Sequence, residues 1–192
     1  MSTSANLDRI DTLLRLIDRE VWVVTAAAGS RRGGLTATWI SQVSIDRERP
    51  VILAGLAPNH YTAELVRASG AFVVHLLAPE HAPVALNFAT GSGRERDKFG
   101  GLVTSNSPSG APLLADCLAW FDCRVFASYD GGDRTLFWGD VVAAEQPGAG
   151  LPLREKEFLR GLNDEQRGQL LADRDADIQE QRPRHEFWRL RQ

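Results

Sequence analysis

Apolar and polar residues alternate along residues 116–130, where the odd-numbered positions from Cys117 to Tyr129 share one face. Asp122 falls on the opposite face. A period of two predicts a half-buried β-strand. The Asp-Gly-Gly-Asp sequence that follows is a strong turn signal, so we expect a hairpin whose returning strand covers residues 135–144.

Shorter β-rich runs and helical patterns fill the rest of the chain. Two arginines among three glycines at residues 29–34 predict a hairpin turn. Asn59 predicts the N-cap of a helix that Gly70 ends. The predicted strands are 21–25, 36–45, 50–56 and 72–77, and the predicted helices are 7–17, 59–70, 80–88 and two short ones within 153–192.

Helices interrupt a mainly antiparallel sheet in this order, without a regular βαβ rhythm. That order favours an α+β fold with a closed or nearly closed barrel over a doubly wound sheet. After Pro147-Gly148-Ala149-Gly150 the chain becomes charge-dense and loses its strand signals. We therefore expect a domain over residues 1–150 and a helical extension over 151–192 that packs on the barrel or on a dimer partner.

Composition restricts the classes of function. The chain has 192 residues, of which 43% are hydrophobic and 24% charged, as expected for one globular domain. A net charge of −3 does not favour nucleic acid or an anionic membrane as a partner. No apolar run approaches the roughly 20 residues of a membrane span, and the N-terminus lacks an apolar signal core. We expect a cytoplasmic protein.

Several kinds of chemistry lack their sequence patterns. Cys117 and Cys123 lie in one predicted strand, roughly 20 Å apart, so they are not expected to form a disulfide. The four histidines have no metal-ligand spacing, and we expect no metal. Neither a glycine-rich nucleotide-binding turn nor a hydrolase nucleophile elbow is found in the sequence.

Three segments suit an anion and a flat ring. Asn59-His60-Tyr61-Thr62 places donors at a helix N-terminus, which suits a phosphate, although a plain N-cap explains it equally. The segment 92–99 offers Arg94 and Lys98 to a phosphate and Phe99 to an apolar surface, although it also fits a solvated charge run. Thr36-Ala37-Thr38 is small and polar, which suits a planar ligand or simply a strand.

Taken together, these segments resemble the flavin reductase-like family, whose members share an FMN-binding split-barrel fold. The resemblance covers about Val21 to Ala144 as an ordered series of moderately specific pieces. The pieces are 21–25, 34–38, 41–44, 59–65, 69–74, 92–99 and 132–142.

The resemblance implies a site for FMN, with FAD as the other candidate, and a homodimer. It places the stretch matching Thr36 to Thr38 along the isoalloxazine ring, and the residues matching 59–62 and Lys98 at the phosphate. With the residues described above, the candidate cofactor-binding set is Thr36, Ala37, Thr38, Ser41, Ser44, Asn59, His60, Thr62, Arg94, Lys98 and Phe99.

Two positions depart from the family pattern. Many members have Gly-Asp-His where this chain has Gly132-Asp133-Arg134, and that histidine is associated with the nicotinamide side of the site. Arginine stays charged and cannot act as a neutral imidazole. Arg134 is therefore the candidate catalytic residue, as a contact for the incoming reductant. The second departure from the family pattern is Trp39, which follows the predicted ring-side segment Thr36 to Thr38.

Three hypotheses about function follow. The leading one is an NAD(P)H-dependent flavin reductase that passes hydride from nicotinamide to flavin N5, and reduced flavin then serves a partner oxygenase or redox protein. The alternative is an FMN-binding electron carrier or sensor without nicotinamide activity, motivated by Arg134 and the added tail. The third is an interaction domain that has lost flavin.

Overall fold

The computed structural model describes residues 3–191, and side chains from residue 5. A 3₁₀ turn at Pro79–His81 precedes the third helix. The strands are β1 Trp22–Ala28, β2 Arg31–Ala37, β3 Ile40–Gln42, β4 Val51–Leu56, β5 Ala71–Leu76, β6 Thr104–Asn106, β7 Pro112–Leu114, β8 Ala119–Asp130 and β9 Thr135–Glu145. The helices are α1 Thr3–Leu14, α2 Tyr61–Ser69, α3 Ala82–Ala89, α4 Glu155–Arg160 and α5 Asp164–Arg189.

Seven strands form one antiparallel sheet in the order β2-β1-β5-β8-β9-β4-β3. Its two edge strands, β2 and β3, are consecutive in the chain: β2 ends at Ala37 and β3 begins at Ile40. A connection of three Cα steps spans at most about 11 Å. The two edges of the sheet must therefore lie close together, and the sheet curls into a barrel that is split at Thr38 and Trp39.

Two hydrophobic clusters cover the two faces of the sheet. Successive side chains of a strand point to opposite faces, and Val24 accordingly belongs to the cluster inside the curl, whereas Val23 belongs to the cluster against α3 and α4. Cys123 and Cys117 also lie in different clusters and are both free, as predicted. Gly139 is required where β9 approaches β8, because an added Cβ would lie 2.8 Å from the Cβ of Cys123.

The β8–β9 hairpin is confirmed, and Cys123 and Val125 share the face inside the curl, as the alternation predicts. The opposite face is covered rather than solvated at Asp122, which is fully buried. Asp122 accepts hydrogen bonds from the backbone N–H (2.9 Å) and hydroxyl (2.5 Å) of Ser109, in the turn between β6 and β7. The alternation breaks farther along β8, where the pairing register inserts Phe126 as a bulge.

Two predictions about the first hairpin are also wrong. The turn is confined to Gly29, which has a φ of 62°, and Ser30, whereas Arg31 to Gly34 belong to β2. The single strand predicted over residues 36–45 is instead the end of β2, a break, and the three-residue β3. The break is the point where the chain passes from one edge of the sheet to the other, which no local pattern indicates.

The tail contains one short and one long helix rather than two short ones. α5 runs for 26 residues and contains Pro183. Its N-terminus is closed by a capping box, in which Asn163 accepts from the Gln166 N–H and the Gln166 side chain accepts from the Asn163 N–H. None of the helices described within residues 3–191 is long and apolar enough to cross a membrane.

Candidate functional site

The candidate site is a cleft of about 630 Å³ between the barrel and α5. One wall comes from β2, the start of α2, the end of α3 and the loop of residues 91–98. The other wall is one face of α5. We call them the barrel wall and the α5 wall. The cleft brings together Thr36, Asn59, His60, Thr62, Arg94 and Lys98 of the candidate set.

The start of α2 supplies hydrogen-bond donors to the barrel wall. His60, not Asn59, is the N-cap, and its side chain makes no capping hydrogen bond, so the predicted N-cap is wrong by one residue. The first N–H groups of a helix have no intrahelical acceptor and carry partial positive charge. Thr62, on the first turn of α2, is only 2% exposed and lines the cleft.

Lys98 brings a buried cation to the same wall. It is 5% exposed, and its Nζ donates to the Phe88 carbonyl over 2.9 Å, at the C-terminal end of α3. Burial, together with the nearby charge of Arg96, lowers the pKa of this amine to about 8. Lys98 is therefore mostly charged at neutral pH, with two of its three hydrogens free to meet an anion.

Arg94 is held at the rim of the cleft. Its guanidinium donates to the Asn59 carbonyl over 3.1 Å and to the Glu64 carboxylate over 2.9 Å, and it lies 5.1 Å from the centre of the Tyr61 ring. Hydrogen bonds from Arg31 and Arg94 lower the pKa of Glu64. Arg94 thus ties the loop of residues 91–98 to α2 within the barrel wall.

Of the predicted ring-side residues, only Thr36 lines the cleft. Its hydroxyl donates to the Ala85 carbonyl over 2.6 Å, so it fastens β2 to α3. Ala37 is buried in the cluster inside the curl, and Thr38 lies in the break between β2 and β3, outside the cleft lining. Gly34 allows the close approach of α3, because an added Cβ would lie 2.6 Å from the Phe88 ring.

Three other predicted residues lie outside the cleft lining. Ser41 is exposed and its hydroxyl donates to the neighbouring Gln42 carbonyl. Ser44 holds a turn by donating to the Arg49 carbonyl and accepting from the Asp46 N–H. Phe99 is buried against Phe88, with ring centres 5.2 Å apart, so it belongs to the core. Whether these residues bind flavin stays a prediction.

The α5 wall was not predicted from the sequence. Asp173, Asp177 and Gln181 recur every four residues, which places them on one face of α5. Asp177 bonds His60 and Asn59, and Gln181 donates to Asn59 over 3.2 Å. Polar residues at this spacing are also typical of a solvated helix face, which is the ordinary interpretation in a tail rich in paired charges. The four-residue spacing is nevertheless the sequence signal that places these side chains on one wall of the cleft.

Arg134 lies beside the cleft rather than in its lining. Its guanidinium donates to the Gln181 side chain over 2.5 Å and lies 5.0 Å from the centre of the Trp39 ring. It forms a smaller pocket with the C-terminal half of α5. No group of three or more His, Cys, Asp or Glu side chains within residues 3–191 is arranged to hold a metal ion.

The flavin reductase like domain family matches residues 14–156, about three quarters of the chain. The chain belongs to this family. The predicted family is therefore confirmed, and with it the flavin-binding, redox character that the resemblance implied.

Individual relatives agree with this assignment. The chain is 34% identical over 127 residues to the high molecular weight rubredoxin of Moorella thermoacetica, covering 65% of this chain and 54% of that protein. It is 31% identical over 121 residues to HsaB, a flavin-dependent monooxygenase reductase subunit of Mycobacterium tuberculosis, covering 63% of each. The chain thus spans between half and two thirds of these relatives.

A solved structure gives the same fold. The NADH:FAD oxidoreductase SgcE6 of Streptomyces globisporus superposes with a TM-score of 0.67 at 28% identity, covering 77% of this chain and 87% of SgcE6. The predicted α+β split barrel with flanking helices is thereby confirmed. The family match ends at residue 156, so the α5 wall lies outside it.

Proposed function

We propose that this protein is a flavin reductase that binds FMN in the cleft and oxidises NADH or NADPH. The observation that supports it best is the barrel wall, where the donors at the start of α2 and the buried Lys98 amine face one cleft. Phosphate groups bind readily to helix N-termini and to lysine. The Thr62 hydroxyl, on the same wall, is a further donor for this ligand.

The residues of the chain itself bind the flavin and orient it. Lys98, Thr62 and the first N–H groups of α2 hold the phosphate, and Thr36 keeps α3 against β2 so that the cleft stays formed. A bound flavin would supply the redox chemistry, with NADH or NADPH as the electron donor. The family's flavin chemistry needs no metal or nucleophile from the protein, since the protein supplies position and electrostatics.

The names of two relatives support the donor and the acceptor. SgcE6 is described as an NADH:FAD oxidoreductase, and HsaB as the reductase subunit of a monooxygenase. By analogy, we infer NADH or NADPH as the reductant and an oxygenase or another redox protein as the consumer of reduced flavin. FAD is the alternative flavin.

Anaerobic mixing tests the proposal. Purified protein loaded with FMN, and separately with FAD, is mixed with NADH or NADPH while the visible flavin absorption is followed. We expect bleaching with at least one donor and multiple turnovers of free flavin. Protein that binds neither flavin, or binds flavin that neither donor reduces, would contradict the proposal.

A flavin-dependent electron carrier without nicotinamide activity is the second candidate. It is favoured by Arg134, which is engaged by Gln181 and Trp39 instead of lining the cleft. In that case flavin binds, reduction by either nicotinamide is slow, and reduction by a low-potential redox protein is fast.

We also propose a homodimer, in which the extension packs on the barrel of its own chain. Exposed apolar side chains support an association: Leu7 and Leu14 on α1 are 60% and 56% exposed, and Ile45 is fully exposed. Light scattering coupled to size-exclusion chromatography should give about twice the 21.1 kDa of one chain.

A further inference from the structure

A carboxylate of the chain itself lies on the donors of the candidate phosphate site. Asp177 accepts from the His60 ring through Nε2, over 2.6 Å, and from the Asn59 amide over 3.1 Å. Both donors immediately precede α2, whose first residues, Tyr61 and Thr62, line the same cleft. A carboxylate and a phosphate use the same donors, because both present anionic oxygens that only accept hydrogen bonds.

The Asp177 carboxyl is ionised in this position. Partial burial raises its pKa, but the hydrogen bond and charge of His60, together with the Asn59 amide, more than offset that effect and leave the pKa below its ordinary value. The contact therefore places a full negative charge at the phosphate end of the cleft.

The same end contains groups that Asp177 does not satisfy. Thr62 is 2% exposed and lines the cleft, and Lys98 Nζ donates to the Phe88 carbonyl, which leaves two of its hydrogens for a ligand. These groups suit an anion that reaches further into the cleft than a side chain of α5 does.

α5 is held in a way that permits its withdrawal. Of its 26 residues, only Gln181 is buried. Its other ties include exposed polar contacts, such as the 2.7 Å pair of Arg184 with Asp130, and the packing of Leu170 on the cluster against α3 and α4 and of Trp188 against Tyr129. Exposed ion pairs contribute about 0–1 kcal/mol each.

We propose that Asp177 is a specificity-determining residue of the flavin site. Its carboxylate occupies the subsite of the flavin phosphate, so that FMN binds only when α5 withdraws this group, whereas riboflavin, which lacks the phosphate, binds without that step. This inference rests on the proposed function. It predicts that the wild-type chain prefers FMN over riboflavin less strongly than it would if Asp177 did not occupy the donors of the barrel wall.

Replacing Asp177 by asparagine tests the inference. Asp177→Asn removes the charge and keeps the shape, so we expect FMN affinity to rise about tenfold, the order of one charge-assisted hydrogen bond. Riboflavin affinity should change less than about twofold. Glu186→Gln is the matched control, because it also replaces a carboxylate by an amide, on an exposed residue of the same helix that does not line the cleft. It should leave both affinities unchanged.

Hydrogen–deuterium exchange of the wild-type chain gives a second test that needs no variant. Saturating FMN should speed the exchange of amides in residues 173–181, and saturating riboflavin should leave it unchanged. Slower or unchanged exchange with FMN would overturn the withdrawal of α5.

The two tests separate this inference from the proposed function. If both flavins bind but Asp177→Asn strengthens them equally, or strengthens neither, the flavin site stands and the role of Asp177 is wrong. If neither flavin binds the wild-type chain or Asp177→Asn, both the role and the proposed function are wrong.

Discussion

The two walls of the cleft carry opposite chemistry. The barrel wall presents donors and a buried cation, at His60, Thr62 and Lys98, whereas the α5 wall presents the cation Arg174 among the carboxylates of Asp173, Asp177 and Glu180. The barrel wall lies within the family match, and the α5 wall lies beyond it.

The difference between the walls shows how a contact within the chain indicates the chemistry of a ligand: donors that bind the chain's own carboxylate also suit another anion. The donors of the barrel wall are paired in part with the chain's own carboxylate, which marks them as an anion site. In the proposed function, the family portion recognises the ligand, and the extension adjusts how easily that ligand enters.

The largest effect should follow loss of the buried cation. Lys98→Met keeps the length of the side chain and should weaken FMN binding by about tenfold to a hundredfold, since a hydrogen bond to a charged group contributes about 1.5–3 kcal/mol. Fluorescence titration measures it. Lys156→Met, at a half-buried lysine that donates to the Leu16 carbonyl and does not line the cleft, is the control and should bind FMN like the wild type. Equal affinities for all three proteins would remove Lys98 from the site.

The pH should reproduce part of that loss without a mutation. Because burial lowers the pKa of Lys98 to about 8, the amine is charged below that pH and becomes neutral above it. FMN affinity should therefore be constant near pH 7 and fall as the pH rises beyond about 8, whereas Lys98→Met should show no such fall. A wild-type profile that stays flat to pH 9.5 would contradict the assignment.

A smaller effect is expected at the Thr62 hydroxyl of the barrel wall. Thr62→Val preserves the shape of the side chain and should weaken FMN binding about fivefold, the order of one neutral hydrogen bond. Riboflavin titrated against the same variant is the internal control. An equal loss for riboflavin would assign Thr62 to a part of the flavin other than its phosphate.

The smallest effect is expected where a predicted residue lies outside the cleft. Ser41→Ala should change FMN affinity less than about twofold, because its hydroxyl contacts only the Gln42 carbonyl. A tenfold loss with an unchanged melting temperature would show that Ser41 reaches a flavin after all, through the site of a second copy of the chain.

Local signals in the sequence were sufficient for the hairpin and for much of the barrel wall. Gly70 ends α2 with a φ of 68°, as its lack of a side chain allows, and the Asp-Gly-Gly-Asp turn closes β8 onto β9. The burial of Asp122 and the break at Thr38 escaped prediction because both depend on how distant segments of the chain meet, which leaves no periodic signal.

By itself the sequence determined the α+β class, the family and the donors at the start of α2, because turns, caps and alternation act over a few residues. The tertiary structure decided which candidates share a cleft, because Thr62, Lys98 and Asp177 come from three separate parts of the chain. It also decided that Asp177 faces His60. That contact joins residues 117 positions apart and depends on where the long helix α5 packs against the barrel.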